Sequence, residues 1–300
     1  MTNKIEIVFL GTGSHIPTDK RNHTGILLSY GPETILFDCG EGIQRQFRIA
    51  KLNPCKLTRI FITHWHGDHT LGLIGLLETL SMSEYQKTLY IYGPTGIKEK
   101  INTLQKLYGK FRLNFEVHEI VPGIVVKEKE FFIEVAPMLH NIPAYAYSFI
   151  VKDKVRLNKK KLKKLKLPNS PMLKELQLGK DIIFEGKKIK ASAVSYLEKG
   201  KKIAIIMDTA MNINAVKIAK NSDLLICESS FYSKEADRAK RYKHLTSKEA
   251  AMIAKKAKAK SLILTHISCR YEKHYLAILK EARKIFKNSS LANDFDKVIV

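Results

Sequence analysis

Short apolar runs rich in β-branched residues alternate along this chain with longer stretches whose apolar positions fall three and four apart. Residues 4–10 read as a first strand, ending in Gly11-Thr12-Gly13-Ser14. Residues 26–29 and 34–38 alternate like the two arms of a hairpin, and 43–51 predict a helix after Gly40-Glu41-Gly42. Residues 59–63 (Arg-Ile-Phe-Ile-Thr) predict a buried strand, and Leu73, Leu76, Leu77 and Leu80 mark one face of a helix over 70–80. A strand and turn at 89–94, a helix at 95–107 and strands at 113–118, 131–136 and 145–151 complete the first half.

The second half repeats one arrangement three times. Apolar residues 203–207 lead to Asp208, 224–227 to Glu228 and 262–265 to His266. Helices are expected between and after them, at about 212–220, 247–258 and 274–287. Strand–helix alternation of this kind predicts an α/β fold, read here as one domain over 1–300, with site residues on loops at strand ends. The glycine turn at 11–14 is not a dinucleotide loop, because the third glycine position falls on Ile16 and no helix follows at once.

The chemistry concentrates between the strand 59–63 and the helix behind it, in His64-Trp65-His66-Gly67-Asp68-His69. Nitrogen and oxygen donors packed this closely suit a borderline metal, zinc first and manganese or iron next. On an extended segment His64 and His66 face the same way, while Asp68 and His69 point to a second position. Two ions about 3.5–4 Å apart would use all four donors and clamp both oxygens of a phosphoryl displacement. His140, after the strand 131–136, joins His64 and His66 on one ion. His266 joins Asp68 and His69 on the other, and Asp208 bridges. Asp68 is also the candidate general base.

His244 precedes a helix that Thr246 or Ser247 would cap, so by itself it reads as a surface histidine. Placed near the metals it becomes a proton donor to the leaving oxygen, with Glu228 orienting it and raising its pKa. Asp38 reads equally as a cap or turn aspartate and as a residue orienting a ligating histidine. His15, His23, His118 and His274 are taken as non-ligands.

Charge changes the picture. Lys+Arg 52 against Asp+Glu 29 gives +23, which points to a polyanionic partner, nucleic acid ahead of an anionic membrane, or to a lysine-rich proteome. Residues 152–190 shift in composition and read as an inserted basic arm. Within it, 157–167 forms a basic amphipathic stretch with Leu162 and Leu165 on one helical face, and 172–178 a second short helix. Its lysines suit phosphate contacts without sequence specificity. Four cysteines without CxxC spacing fit a reducing cytosol, and no run of apolar residues is long enough for a signal peptide core or a membrane span, so a soluble cytoplasmic protein is expected.

The His64–His69 motif resembles the metallo-β-lactamase superfamily, which implies a four-layer αββα sandwich with a dinuclear site along one edge. Taken with Asp38-Cys39-Gly40-Glu41-Gly42-Ile43-Gln44-Arg45-Gln46, the Gly11–Ser14 turn leading to Pro17 and Arg21-Asn22, and the order His140, Asp208-Thr209, His244-Leu245-Thr246, His266, the chain is similar to the tRNase Z (ribonuclease Z) family from Ile7 to about Ser268. The resemblance implies a zinc-dependent endoribonuclease that removes the 3′ trailer from precursor tRNA and leaves a 3′-hydroxyl on the tRNA. It implies the ligand division given above, Asp68 as proton acceptor and His244 as proton donor. It also implies a homodimer whose basic arm is an exosite gripping the tRNA elbow. The family's His-Glu-Ala-Thr element is Cys227-Glu228-Ser229-Ser230 here, so only Glu228 carries over. Asp19 stands where the family has lysine, and Ala210-Met211 replace arginine and proline. A hydrolase of the same fold acting on a small phosphodiester or a lactone is the alternative, and a non-catalytic RNA-binding protein a third reading that the complete ligand set disfavours.

Overall fold

The computed structural model describes residues 4–300. The strand-forming runs assemble into two seven-stranded sheets. The first runs in the order Lys297–Ile299, Ile5–Gly11, Gly25–Tyr30, Glu33–Phe37, Arg59–Phe61, Thr88–Gly93, Asn114–Glu119. The second runs Ser289–Leu291, Leu262–Thr265, Leu224–Glu228, Lys202–Ile206, Ala144–Val151, Phe131–Met138, Gly123–Lys127. In the first, the hairpin Gly25–Tyr30 with Glu33–Phe37 is antiparallel, while Glu33–Phe37, Arg59–Phe61 and Thr88–Gly93 run parallel. In the second, Lys202–Ile206, Leu224–Glu228 and Leu262–Thr265 run parallel, so Asp208, Glu228 and His266 emerge at the same end.

Aromatic side chains seal the two sheets against each other. Tyr147 packs on Phe37 and Phe61, Phe149 meets Tyr30 edge-on, and the Tyr147 hydroxyl donates to the Ile62 carbonyl at 2.5 Å. Helices cover both outer faces. Ile43–Ile49, Gly72–Met82 and Ile97–Tyr108 bury Phe47, Leu73, Leu76, Leu77, Leu80 and Ile101 against the first sheet. Each fully buried leucine contributes about 1.5–3 kcal/mol. On the second sheet, Ser247–Ala257 and Tyr275–Ile285 bury Ile253, Ala254, Ile278 and Ala282. Layers of helix, sheet, sheet and helix are the αββα sandwich expected. No helix among the described residues is long and apolar enough to cross a membrane.

The structure departs from the reading of a continuous helix over 70–80. A short turn, Gly67–Thr70, carries Asp68 and His69, and a second helix starts at Gly72 after an exposed Leu71. The break comes from close packing. The Gly72 amide donates to the Cys39 carbonyl at 3.0 Å, and a Cβ at Gly72 would lie 1.9 Å from the Gly40 carbonyl oxygen. Backbone meets backbone there, so Gly72→Ala is expected to cost about 1–3 kcal/mol, read as a lower denaturant midpoint with an unchanged m-value. A surface substitution such as Lys248→Ala, run alongside, should shift the midpoint by less than about 0.5 kcal/mol.

Strands at Gly123–Lys127, Ser289–Leu291 and Lys297–Ile299 carry no legible period in the sequence. Sheet edges draw them in. Lys297–Ile299 is held by antiparallel pairing with Glu6, Ile7 and Val8.

A second compact unit comprises Glu128–Phe132 and Ile150–Lys201. Lys154–Leu157 pairs with Ser195–Glu198, and Ile182–Phe184 with Lys187–Ile189. It has its own small core of Leu162, Leu167, Leu176, Ile189 and Val194. Leu162 and Leu165 do not share its buried face as expected. The helix Lys159–Lys164 stops because Lys166 adopts a left-handed φ of 52°, and the Leu167 amide closes back on the Leu162 carbonyl at 3.1 Å. That turn brings Leu167 into the core and leaves Leu165 44% exposed.

Candidate metal centre

The strand Arg59–Phe61 is only three residues long because the backbone leaves it to serve the site. The Thr63 amide donates to Asp38 Oδ1 at 2.7 Å and the Thr63 hydroxyl to Asp38 Oδ2 at 2.9 Å. Asp38 lies at the end of the neighbouring strand and is fully buried, with φ 60°. Its Oδ2 also accepts the Nδ1–H of His69 at 2.7 Å. Of the two readings the sequence left open for Asp38, the orienting one is what the geometry shows. His266, φ 57°, leaves its strand in the same left-handed conformation. Asp and His enter that region more readily than most side chains.

The outward contacts of the histidines fix which nitrogen faces inward. His69 Nδ1 gives its proton to Asp38. His140 Nδ1 gives its proton to the Lys243 carbonyl at 3.1 Å. The Thr63 hydroxyl already donates to Asp38, so it accepts from His64 Nδ1 at 3.0 Å. The Ser230 hydroxyl donates to Glu228 Oε2 at 2.6 Å and accepts from His266 Nδ1 at 2.8 Å. Four Nε2 lone pairs are therefore left pointing into one space.

Their separations confirm the convergence. His64 Nε2 lies 3.0 Å from His66 Nδ1, His140 Nε2 lies 3.3 Å from the same atom, and His69 Nε2 lies 3.2 Å from His266 Nε2. Asp208 sits among them, 3% exposed, with Oδ2 3.3 Å from His64 Nε2 and Oδ1 3.2 Å from His266 Nε2. Oδ1 has no hydrogen-bond donor among the described residues. Asp68 Oδ2 is 3.3 Å from His266 Nε2 and 3.4 Å from His69 Nε2. Lone pairs and carboxylates turned toward one another repel unless a cation lies between them, so the donor set fits divalent metal ions. The ligand-type atoms fall into two groups that share Asp208, one with His64, His66 and His140 and one with Asp68, His69 and His266, each within 4.8 Å of one another. All seven residues singled out in the sequence are brought together here.

His244 lies beside them, with Glu228 behind it. Glu228 is fully buried and accepts from the Thr209 amide at 2.8 Å and from His244 Nδ1 at 3.1 Å. Burial opposes a charge on His244, but Glu228 and then Asp208 outweigh it and push its pKa up to about 9. Burial also opposes ionisation of Glu228, yet His244 holds it below the usual carboxylate range. At His140 burial dominates and brings the pKa down to about 4, so this histidine is neutral and free to donate its lone pair.

His66, Asp68, His140, Asp208, His244 and His266 line a cavity of about 350 Å³ that also receives Ser14, His15, Phe231, Tyr242 and Arg270. Two participants escaped the sequence reading. Ser230 joins Glu228 to His266 through one hydroxyl. His15, set aside as a non-ligand, is 83% exposed on the glycine-turn loop with Nδ1 3.7 Å from Asp68 Oδ1. Serine after a strand-end glutamate is a signal for the first, but the fold alone supplies the second.

Residues 5–194 match the family model described as anti-Pycsar protein Apyc1, and so belong to that family. A ribonuclease Z from Methanothermobacter thermautotrophicus is 39% identical over 299 residues, covering 99% of this chain and 97% of that protein. One from Listeria welshimeri is 39% identical over 300 residues, covering 97% of each. The chain belongs to the ribonuclease Z family. Membership makes it an endoribonuclease by class. Among solved structures, the short form of human tRNase Z superposes with a TM-score of 0.71 at 27% identity, covering 98% of each chain. The metallo-beta-lactamase fold protein YhfI from Bacillus subtilis superposes with a TM-score of 0.70 at 21% identity and covers 100% of each chain, which is a likeness of fold. Cys227, which precedes Glu228, is a buried thiol whose pKa burial raises well above the ordinary value. Glu228 keeps its hydrogen bonds to Thr209 and His244 beside that cysteine.

Proposed function

We propose that this chain is a zinc-dependent endoribonuclease that cuts precursor tRNA after the discriminator base and frees the 3′ trailer. The observation that carries the proposal is the pair of His/Asp groups sharing Asp208 beside a cavity that His244, anchored from behind by Glu228, also lines. His64, His66 and His140 would hold one zinc ion and Asp68, His69 and His266 a second, with Asp208 common to both groups; manganese or iron would suit the same donors. When bound, the two ions supply Lewis acidity to the phosphodiester and a nucleophile at neutral pH.

The chain's own groups move the protons. Asp68 takes the proton from the attacking water at its carboxylate. His244 Nε2, on the cavity side of a ring anchored through Nδ1 by Glu228, gives a proton to the departing 3′-oxygen. The water oxygen joins phosphorus and the bond to the 3′-oxygen breaks. The tRNA keeps a 3′-hydroxyl and the trailer a 5′-phosphate. Hydrolysis of a small phosphodiester or a lactone is the alternative chemistry for the same groups.

The lysine-rich segment supplies the grip on the substrate, as an exosite for the tRNA elbow, and the enzyme works as a homodimer in the cytoplasm. Lys160, Lys163 and Lys164 are exposed on its first helix. Replacing all three with glutamine is expected to raise KM for precursor tRNA and to flatten its salt dependence by about 0.9 per lost phosphate contact, with kcat unchanged. Hydrolysis of a generic aryl phosphodiester should not change. Equal losses on both substrates would remove the exosite from the account.

The test of the function is incubation of the metal-loaded protein with a precursor tRNA bearing a 3′ trailer, with product ends mapped. One cut after the discriminator, with a 3′-hydroxyl on the tRNA, is the expected result. No cut, with turnover of the aryl phosphodiester, would make the chain a small-substrate hydrolase.

A further inference from the structure

Beside the catalytic cavity lies a second cleft, of about 460 Å³, lined by Tyr232, Ser233, Lys248, Lys280, Glu281 and Lys284. The two are joined by chain. Phe231 lines the catalytic cavity and the next two residues, Tyr232 and Ser233, line the cleft. The cleft is strongly basic in effect as well as in count. Lys248, Lys280 and Lys284 are exposed and none of them is in an ion pair among the described residues. The one acid, Glu281, is already held by the hydroxyls of Ser233 and Ser247.

Spacing and shape narrow the partner. Lys280 and Lys284 stand one turn apart on the helix Tyr275–Ile285, about 5–6 Å between Cβ atoms, a separation that successive phosphates of an extended strand can match. Lys248 faces them from the neighbouring helix Ser247–Ala257. Tyr232 offers a ring at the end nearest the catalytic cavity, with Lys234 Nζ 5.9 Å from its centroid. Aromatic faces interleaved with unpaired cations are the means by which single strands are held without regard to sequence. A cleft of about 460 Å³ has room for part of a single strand.

Resting on the proposed precursor-tRNA reading, we infer that this cleft is the track of the single-stranded 3′ trailer. The acceptor stem stays outside it. The enzyme thereby gains affinity from trailer phosphates beyond the scissile one.

The experiment compares kcat/KM for two precursors that differ only in trailer length, one nucleotide against ten, in the wild-type chain and in Lys280→Glu with Lys284→Glu. The substituted residues are exposed and make no contact with the catalytic groups, and an unchanged melting temperature checks the fold. The expected result is a loss of roughly tenfold for the long trailer only, with the salt slope for that substrate reduced by about 0.7 per lysine. A photoreactive uridine placed within the long trailer should crosslink to the peptide carrying Lys280 and Lys284. An equal loss for both trailer lengths would assign the cleft to the tRNA body and overturn the inference, as would no loss for either. A wild-type chain that cuts neither precursor overturns the functional reading itself, and the trailer track with it.

Discussion

Asp68→Ala is expected to lower kcat/KM on precursor tRNA by at least about 10³-fold, within the range that loss of a general base and of a metal donor supports. The size of the effect follows from where the carboxylate sits. It is 4% exposed, within 3.4 Å of His69 Nε2 and His266 Nε2, and it lines the cavity that receives the substrate. It is one of the groups suited to hold the second ion and the one placed to accept a proton. The backbone of this turn is held by other contacts, such as His69 N to the His66 carbonyl and Cys39 N to the His69 carbonyl. The variant should therefore fold, with a melting temperature between those of the parent and the metal-free protein. Asp68→Asn separates the two duties, because an amide oxygen can still face an ion but takes up no proton. Metal content near that of the parent, with turnover still reduced by about 10²-fold or more, would isolate the proton transfer. Turnover above a tenth of the parent in Asp68→Ala would place the base elsewhere.

Removing the metal should act on both turnover and stability. Without cations, four inward Nε2 lone pairs and the carboxylates of Asp68 and Asp208 face one another in a buried space, and Asp208 Oδ1 has no donor. Binding at a thousand times the dissociation constant would add about 4 kcal/mol to folding. For a chain of this length that raises the melting temperature by roughly 10 °C. Dialysis against a chelator should thus abolish cleavage and lower the melting temperature by about this amount, with both restored by zinc and with close to two equivalents bound. Asp208→Ala should behave like the stripped protein even with zinc present, because it removes the one group common to both halves. Unchanged melting temperature and turnover after complete removal of metal would refute the dinuclear reading.

Much of this centre was legible because its residues obey local rules. His64, His66, Asp68 and His69 follow a short buried strand, and Asp208, Glu228 and His266 each terminate an apolar run. A strand end is where a side chain can leave the sheet and still be held, so the pattern of apolar runs locates the site before any folding is known. His244 was the opposite case. Its neighbours announce a helix cap, and they form one: Thr246 and Glu249 make a reciprocal capping box on the helix that follows. Only the contact with Glu228, sixteen residues away, removes it from the surface histidines.

The sequence by itself determined the alternation of elements, the α/β class, the donor types and the excess of positive charge. Each of these depends on residue identity within a few positions. Tertiary structure alone decided which ring nitrogen of each histidine faces inward, through Asp38, Thr63, Ser230 and the Lys243 carbonyl. It also decided that the helix after His69 restarts at Gly72, that Lys297–Ile299 becomes a strand, and that Lys248 meets Lys280 and Lys284 across one cleft. These outcomes rest on contacts between residues far apart in the chain, where neither propensity nor periodicity leaves a mark, because the partner that stabilises each conformation is supplied only when the sheets and helices have packed.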